Sequence, residues 1–368
     1  MDIDKDYKEL TTLIYQDLAW GPLYIKKDGE VIKNADNNAE KYISDSLKIL
    51  SLKKSDLKGK KIFNIGTGRE SRFFAENGAD VNHIDIGEES VKQIRSWAKE
   101  KNLKVNSDHG DILKKNIGEN KYDLIFLSGI YQHISTPAYA LVKFINALKK
   151  NGLMYMGFYR SGEFKYFIVD SIRHLVDYSM MSEIRDINSI LFSFGENDHY
   201  QSSRVMDDFF VPKKHNFHPN DVIHDIKLLG AEVFYFDEDF RDYNHEGSDY
   251  FSIGGDRIYV KKNSDKISNL EDVKNKLKTL KGKNQIFEIK YKEEIINENI
   301  HLIKKIRLLY DTGFVSKHSI ACLAIGLYQF TRPFIFEESY YFNESKRMGR
   351  HKIVNKYLVN FIKKHKKI

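Results

Sequence analysis

The segment Lys61–Ser71 constrains the fold of this chain more than any other. Its sequence is KIFNIGTGRES, in which apolar, strand-prone residues lead directly into Gly66 and Gly68, and a helix-like segment around Phe73 follows. This pattern predicts a buried strand, a glycine turn and a helix N-terminus. Glycine lets the backbone approach a ligand that a side chain would block. The first N–H groups of a helix also lack intrahelical partners, so the turn is expected to line a ligand site.

A second predicted strand, Val81–Ile84, ends on Asp85. A carboxylate at the tip of the second strand of such a fold commonly accepts hydrogen bonds from two ribose hydroxyls. Together the two segments predict a nucleoside cofactor at the carboxyl ends of parallel strands. The alternative role for Asp85 is that of a helix N-cap.

The rest of the region up to residue 159 alternates between apolar strands and helices, which is typical of a parallel, doubly wound sheet. Helix Pro137–Lys149 begins with a proline that suits a first helical turn, and strand Leu153–Tyr159 follows it. Later, further strands are predicted at Ala231–Phe236 and Arg257–Lys261.

The glycines alone do not decide which nucleoside binds. A dinucleotide fingerprint places a third glycine where this chain has Ser71, so the neighbouring motifs must decide. Read in order, those motifs resemble the class I S-adenosylmethionine-dependent methyltransferases over residues 58–160, and more loosely over 218–262. The matching segments are Asn64–Gly68, Asp85–Ser90, Gly110–Ile112, Tyr122–Ser128, Gly129–Ile134 and Leu148–Met156.

The resemblance implies an α/β fold: a doubly wound, seven-stranded, Rossmann-like methyltransferase sheet. It also implies that strands Ala231–Phe236 and Arg257–Lys261 form an antiparallel hairpin at the edge of this sheet. The fold would carry an N-terminal helical segment, an insertion after strand five and a helical C-terminal extension. The implied cofactor is S-adenosyl-L-methionine. The residues that the resemblance places around it are Asn64, Gly66, Gly68, Asp85, Ile86, Asp111, Ile112 and Ser128. Asp108 competes with Asp111 for the place near the adenine.

One residue departs from the family pattern. Asn64 stands where the family has an aspartate or glutamate that helps to position the methionine end of the cofactor. Asparagine keeps the capacity to form hydrogen bonds but lacks the charge.

His133 is the candidate catalytic residue, because it follows strand four at the edge where the methyl group would lie. An imidazole there could act as a general base, or it could orient a loop or pack against the cofactor. Tyr159 and Arg160 follow strand five as candidate substrate contacts, with a surface salt bridge as the alternative. Trp20 and Tyr24 are candidates for a lid, or else they fill a hydrophobic groove.

We expect three regions along the chain. Residues 1–57 form an N-terminal helical lid segment, and residues 58–262 form the cofactor-binding domain with a substrate-recognition insertion at 160–217. Residues 265–368 form a helical, basic C-terminal region.

The composition indicates the cellular compartment in which the chain is expected. The single cysteine, Cys322, excludes an intrachain disulfide and a cysteine-based zinc cluster, which fits a reducing cytoplasm. Scattered histidines lack the spacing of a metal site, so no metal is predicted. The polar segment Met1–Tyr7 does not resemble a signal peptide, and the apolar segment Ser319–Phe330 is too short to span a bilayer. We therefore expect a cytoplasmic protein without a membrane span.

The leading functional hypothesis is methyl transfer to a small-molecule or sugar- or lipid-linked metabolite. Nucleic acid is a disfavoured partner, because the net charge of +7 is mild for this length and no basic stripe with interleaved aromatics occurs. Two alternatives stay open. One is an RNA methyltransferase that uses the basic C-terminal region; the other is a non-catalytic scaffold, for which Asn64 is the supporting feature. A dehydrogenase is the least favoured hypothesis, since the third glycine is missing and the edge hairpin argues against it. A homo-oligomer also stays open.

Overall fold

The computed structural model describes residues 33–66, 68–159, 206–211, 215, 217, 219–237, 255–265, 293–324 and 355–365. The predictions made for Trp20, Tyr24 and Arg160 concern residues outside these ranges. The first helix, α1, is Lys33–Ile49. It is followed by the alternating series β1 Lys61–Ile65, α2 Arg69–Glu76, β2 Asp80–Asp85, α3 Glu88–Glu100, β3 Val105–His109, β4 Tyr122–Ser128, α4 Pro137–Ala147 and β5 Leu148–Tyr159.

The second half of the domain completes the sheet. Helix α5 is Pro219–Leu228, strand β6 is Ala231–Asp237 and strand β7 is Gly255–Lys262. The described strands form a seven-stranded sheet in the order β3-β2-β1-β4-β5-β7-β6, in which β7 alone runs antiparallel to its neighbours. The predicted doubly wound sheet and its antiparallel edge hairpin are therefore confirmed.

The strands bury both faces, with alternate residues pointing to opposite sides as the pleat requires. One face packs against α1 and α2 through a cluster that includes Ile62, Leu124, Phe126, Tyr155 and Tyr259. The other face packs against α4 and α5 through a cluster that includes Phe63, Ile125, Leu127, Met154, Met156, Ile258 and Val260. The rings of Phe126 and Tyr155 stack at 4.2 Å across β4 and β5. This burial on both faces fixes the strand register, and the register determines where the strand ends lie at the candidate site.

The predicted boundary between helix α4 and strand β5 is wrong. The helix was expected to reach Lys149, but it ends at Ala147 and the chain enters β5 at Leu148 without a loop. The pairing register of β4 and β5 shifts between Tyr122 and Leu124. Asn151 adopts a left-handed φ of 61° at this irregularity, so the Lys-Lys-Asn-Gly run bends the strand rather than closing a helix.

The start of α2 is tied to α1 by buried polar contacts. The Tyr42 hydroxyl donates to the Glu70 carboxylate, and the Arg69 guanidinium pairs with the same carboxylate at 2.6 Å. Tyr42 and Glu70 are both buried. The helix α1 is therefore anchored directly beside the glycine turn.

Further helices follow the sheet: α6 Glu293–Asp311, α7 at 317–324 and α8 at 355–365. Helix α6 buries Leu302, Ile303 and Ile306 and exposes Leu308, as expected of an amphipathic helix. None of the helices in the described ranges is both long enough and apolar enough to cross a membrane.

Candidate cofactor and active site

The candidate site lies at the carboxyl edge of the parallel strands. Ile65 of β1 pairs with Ile84 of β2, and the amide of Gly66 donates to the Ile84 carbonyl at 3.2 Å. The glycine turn and Asp85 are thus neighbours. Strand β4 lies on the other side of β1 and ends at Ser128, which pairs with Gly157 of β5. Open α/β sheets bind ligands at this edge, where the strand order reverses.

The glycine turn needs its two glycines for different reasons. Gly66 has a φ of 120°, and a Cβ there would lie 3.1 Å from Ile130 Cδ1. Gly68 caps α2 with a φ of 86°, and a Cβ there would lie 2.3 Å from Ile94 Cδ1, closer than van der Waals contact allows. At both positions the positive φ favours glycine, and at Gly68 a side chain would also collide with the core.

Asn64 uses both ends of its side chain inside the protein. It is fully buried, its Nδ2 donates to the Phe126 carbonyl at 2.9 Å, and its Oδ1 accepts from the Ser71 hydroxyl at 2.7 Å. A carboxylate could not donate to the Phe126 carbonyl. Asparagine therefore links β1, β4 and α2, and its contact with the methionine end of a cofactor stays a prediction.

Asp85 is buried at the tip of β2, and the Gly87 amide donates to its Oδ1 at 2.6 Å. Helix α3 is capped by Gly87 rather than by Asp85, so the N-cap alternative for Asp85 is wrong. Burial raises the pKa of Asp85 to about 7, against the opposing effect of the Gly87 hydrogen bond. In the described part of the chain the Gly87 amide is the only donor to this carboxylate. It therefore suits the hydroxyl donors of a ribose.

The loop after β3 carries the predicted adenine contacts. Asp111 Oδ1 accepts from the Leu113 amide at 2.9 Å, and Ile112 is buried in the core beside α4. Asp108, the competing candidate, instead forms ion pairs with Arg95 and Lys115.

Lys143 of α4, which sequence reasoning missed, braces this loop. Its ammonium donates to the carbonyl oxygens of Ile112, Leu113 and Lys115, at 2.6, 3.1 and 2.6 Å. No motif signals such a contact, because it joins two elements that are separate in sequence.

His133 and Tyr159, which were predicted separately, meet at a third residue. The His133 Nε2 lies 3.5 Å from Asp207 Oδ1, and the Tyr159 hydroxyl donates to Asp207 Oδ2 at 2.9 Å. The rings of His133 and Tyr159 are 5.8 Å apart and nearly perpendicular. Asp207 lies on a short π-helical turn, Met206–Phe210, and is buried. We define these three residues as the His133 cluster.

Backbone contacts hold the His133 cluster against the sheet. The 3-10 turn Tyr131–His133 follows β4, and Gln132 Nε2 donates to the Gly129 carbonyl at 2.6 Å. The amide of His215 donates to the Gln132 carbonyl, and the amide of Phe217 donates to the Tyr159 carbonyl, both at 2.8 Å. The end of the insertion, at His215 and Phe217, therefore pairs directly with the edge that carries the cluster.

Comparison with known proteins agrees with this geometry. Residues 63–156 match the family model of a methyltransferase domain. No curated protein matches the chain significantly.

Two solved structures illustrate the similarity of fold. Magnesium protoporphyrin IX methyltransferase from Synechocystis PCC 6803 with bound SAH shares 15% identity, covering 71% of this chain and 98% of its own, with a TM-score of 0.44. The Burkholderia thailandensis 1,6-didemethyltoxoflavin-N1-methyltransferase shares 10% identity, covering 72% of this chain and 90% of its own, with a TM-score of 0.42.

The sheet order and the matched family model define the class. Residues 63–156 carry a methyltransferase domain, which agrees with the predicted enzyme class and cofactor. The glycine turn and the buried, sparsely hydrogen-bonded carboxylate of Asp85 both fit that cofactor.

Cofactor binding should depend on pH through Asp85. Ribose hydroxyls donate to the ionised carboxylate, whereas in the ligand-free protein burial raises its pKa to about 7. The affinity for S-adenosylhomocysteine is therefore expected to fall about tenfold between pH 8 and pH 6, with release of a proton on binding below pH 7. Calorimetric titration in two buffers of different ionisation enthalpy measures both effects. An affinity that is flat over this range would contradict the role of Asp85.

Proposed function

We propose that the chain transfers a methyl group to a small-molecule or sugar- or lipid-linked metabolite, with His133 as the general base. The observation that carries this proposal is the His133 cluster, which lies at the same carboxyl edge as the glycine turn and Asp85. Residues Asn64, Gly66, Gly68, Asp85, Ile86, Asp111, Ile112 and Ser128 would hold the cofactor. The cofactor supplies an activated methyl group on a sulfonium.

The His133 cluster supports proton removal from an acceptor. With Nε2 turned toward the Asp207 carboxylate, a proton taken up by the imidazole would be stabilised by the adjacent negative charge. Tyr159 holds the same carboxylate through its hydroxyl, so Asp207 has a defined orientation. A hydroxyl acceptor needs such a base, because its proton must leave as the oxygen is methylated.

Aromatic side chains beside the cluster pack together and hold the turn that carries His133. Tyr131 and Phe217 lie 4.7 Å apart, and Phe158 packs edge-on against Phe217 at 5.7 Å. Tyr131 and Phe158 are buried in the core, so this packing fixes the position of the cluster at the edge of the sheet. In this proposal the insertion at 160–217 recognises the acceptor, and Tyr159, Arg160, Trp20 and Tyr24 contact it.

We also propose the three-region organisation inferred from the sequence. Residues 1–57 serve as the lid segment, 58–262 as the catalytic domain and 265–368 as a helical extension. Helix α1 supports the first part of this proposal, since Tyr42 anchors it beside the glycine turn.

A screen for S-adenosylhomocysteine release over a panel of hydroxyl-bearing metabolites tests the function, with transfer RNA and bulk RNA as separate arms. His133→Gln is expected to lower turnover of an accepted metabolite by 10²–10⁴-fold, a range typical of general acid–base catalysis. Its S-adenosylhomocysteine affinity should be unchanged. Asp207→Asn should lower turnover by about tenfold or more, because it removes the charge that stabilises the imidazolium.

The matched control is His301→Gln, since His301 is an exposed histidine of α6. Full turnover in His133→Gln would remove this residue as the base. Methylation of RNA alone would replace the metabolite proposal with the RNA alternative, and binding of S-adenosylhomocysteine without any turnover would favour the scaffold.

A further inference from the structure

A buried histidine of β2 contacts the glycine turn directly. His83 is 2% exposed, and its Nε2 lies 2.6 Å from the Gly66 carbonyl oxygen. The same Nε2 would lie 3.7 Å from a Cβ on Gly68. The imidazole therefore packs against both glycines of the turn that faces the cofactor.

The partners of the two ring nitrogens define the tautomer of His83. His83 Nδ1 lies 2.7 Å from the Ser107 hydroxyl on β3. A carbonyl oxygen can only accept, so Nε2 carries the hydrogen and Nδ1 accepts from Ser107. Burial lowers the pKa of His83 to about 4, which keeps the ring neutral at physiological pH. The relay from Ser107 through His83 to Gly66 is thus a chain of donors in one direction.

We propose that His83 is a positioning residue for the cofactor, which holds the Gly66 peptide in its binding orientation through the relay from Ser107. Gly66 has a φ of 120° and, as a glycine, has other backbone orientations open to it. The imidazole bond selects one of them before the cofactor arrives. A site that is ordered in advance binds more tightly, because less ordering cost falls on the binding step.

The position of His83 along β2 explains why this role needs a long side chain. Its neighbours in the strand pairing are Asn64 of β1 and Ser107 of β3. The ring must therefore reach from the middle of β2 past the end of β1 to the Gly66 carbonyl. A smaller residue at this position would leave that carbonyl without the bond.

Two substitutions separate positioning from packing. His83→Gln places an amide N–H close to where Nε2 lies, and His83→Asn places its amide near Nδ1, out of reach of Gly66. Calorimetric titration with S-adenosylhomocysteine should give an affinity within about threefold of the wild type for His83→Gln, and about 10–100-fold weaker for His83→Asn. Both variants should lose thermal stability to a similar extent.

Equal losses of affinity in both variants, or lost stability with unchanged affinity in His83→Asn, would overturn the proposal. If neither variant folds, Ser107→Ala decides. It removes only the hydroxyl that donates to Nδ1 of His83, so its unfolding midpoint should stay within about 3 °C of the wild type. Its affinity should weaken by about threefold or more, and unchanged affinity would overturn the proposal. Because binding is measured without an acceptor, the outcome is independent of the proposed substrate.

Discussion

Asp85→Asn is expected to abolish cofactor binding while making the ligand-free protein more stable. The affinity for S-adenosylhomocysteine should fall by about 100-fold or more, because charge-assisted hydrogen bonds from the ribose hydroxyls are lost. The asparagine Oδ1 can still accept from the Gly87 amide, which is 2.6 Å from the present carboxylate oxygen. The local turn should therefore survive.

The gain in stability follows from the direction of the pKa shift. The folded-state pKa of Asp85 is about 7, above the usual 3.8, because burial penalises the charged form. Ionisation therefore opposes folding, and the wild type loses stability as the pH rises from about 4 to 7. At pH 8 the variant should be more stable by on the order of 3 kcal/mol, or roughly 5–10 °C in melting temperature.

Thermal unfolding at several pH values checks this expectation. The advantage of the variant should shrink as the pH is lowered toward 4, because the folded carboxyl is then protonated and the unfolded carboxyl, with its usual pKa of 3.8, is about half protonated. A gain that is the same at every pH would show that the buried charge is not its cause. Unchanged affinity for S-adenosylhomocysteine would remove Asp85 from the cofactor site.

Gly68→Ala should destabilise the domain by about 2–5 kcal/mol and abolish binding of S-adenosylhomocysteine. A left-handed backbone costs an L-residue about 1–2 kcal/mol, and overpacking adds about 1–3 kcal/mol. Here φ is 86° and the added Cβ would lie 2.3 Å from Ile94 Cδ1. Ile94 is 1% exposed in the core, so it has little room to move away. Urea unfolding measures the loss.

Gly59→Ala is the matched control. Its φ of 75° is similar, but nothing lies within 4 Å of an added Cβ, so only the backbone cost of about 1–2 kcal/mol is expected. The double variant Gly68→Ala with Ile94→Ala should recover the overpacking part, which a double-mutant cycle isolates. An equal loss in the two alanine variants would show that the contact with Ile94 carries no cost.

The strand–turn–helix core could be predicted from the sequence because its signals are local. Apolar runs end on Gly66 and on Asp85, and these endpoints mark where the strands reach the edge of the sheet. The entry to β5 was misplaced because Leu148 continues the helical pattern of α4, while its pairing with Tyr122 depends on a distant strand. Pairing of this kind has no local signature.

The site was predicted less completely than the fold for the same reason. His133 and Tyr159 follow strand ends and stood out in the sequence, but their shared partner Asp207 comes from a segment far along the chain. His83 looked like one core residue of a strand, because its contact with Gly66 depends on how β1 and β2 align. The roles of these residues stay predictions.

The antiparallel strand β7 has a consequence for how such a protein can diversify. Tyr159 at the end of β5 pairs with Gly255 at the start of β7, and Asp237 at the end of β6 pairs with Arg257. The described strand ends Asp237 and Gly255 therefore lie at the same edge of the sheet as Tyr159 of the His133 cluster. Under the proposed function, exchanging the chain between β5 and α5 or between β6 and β7 is expected to change acceptor choice and to leave the cofactor half of the sheet, β1 to β4, intact.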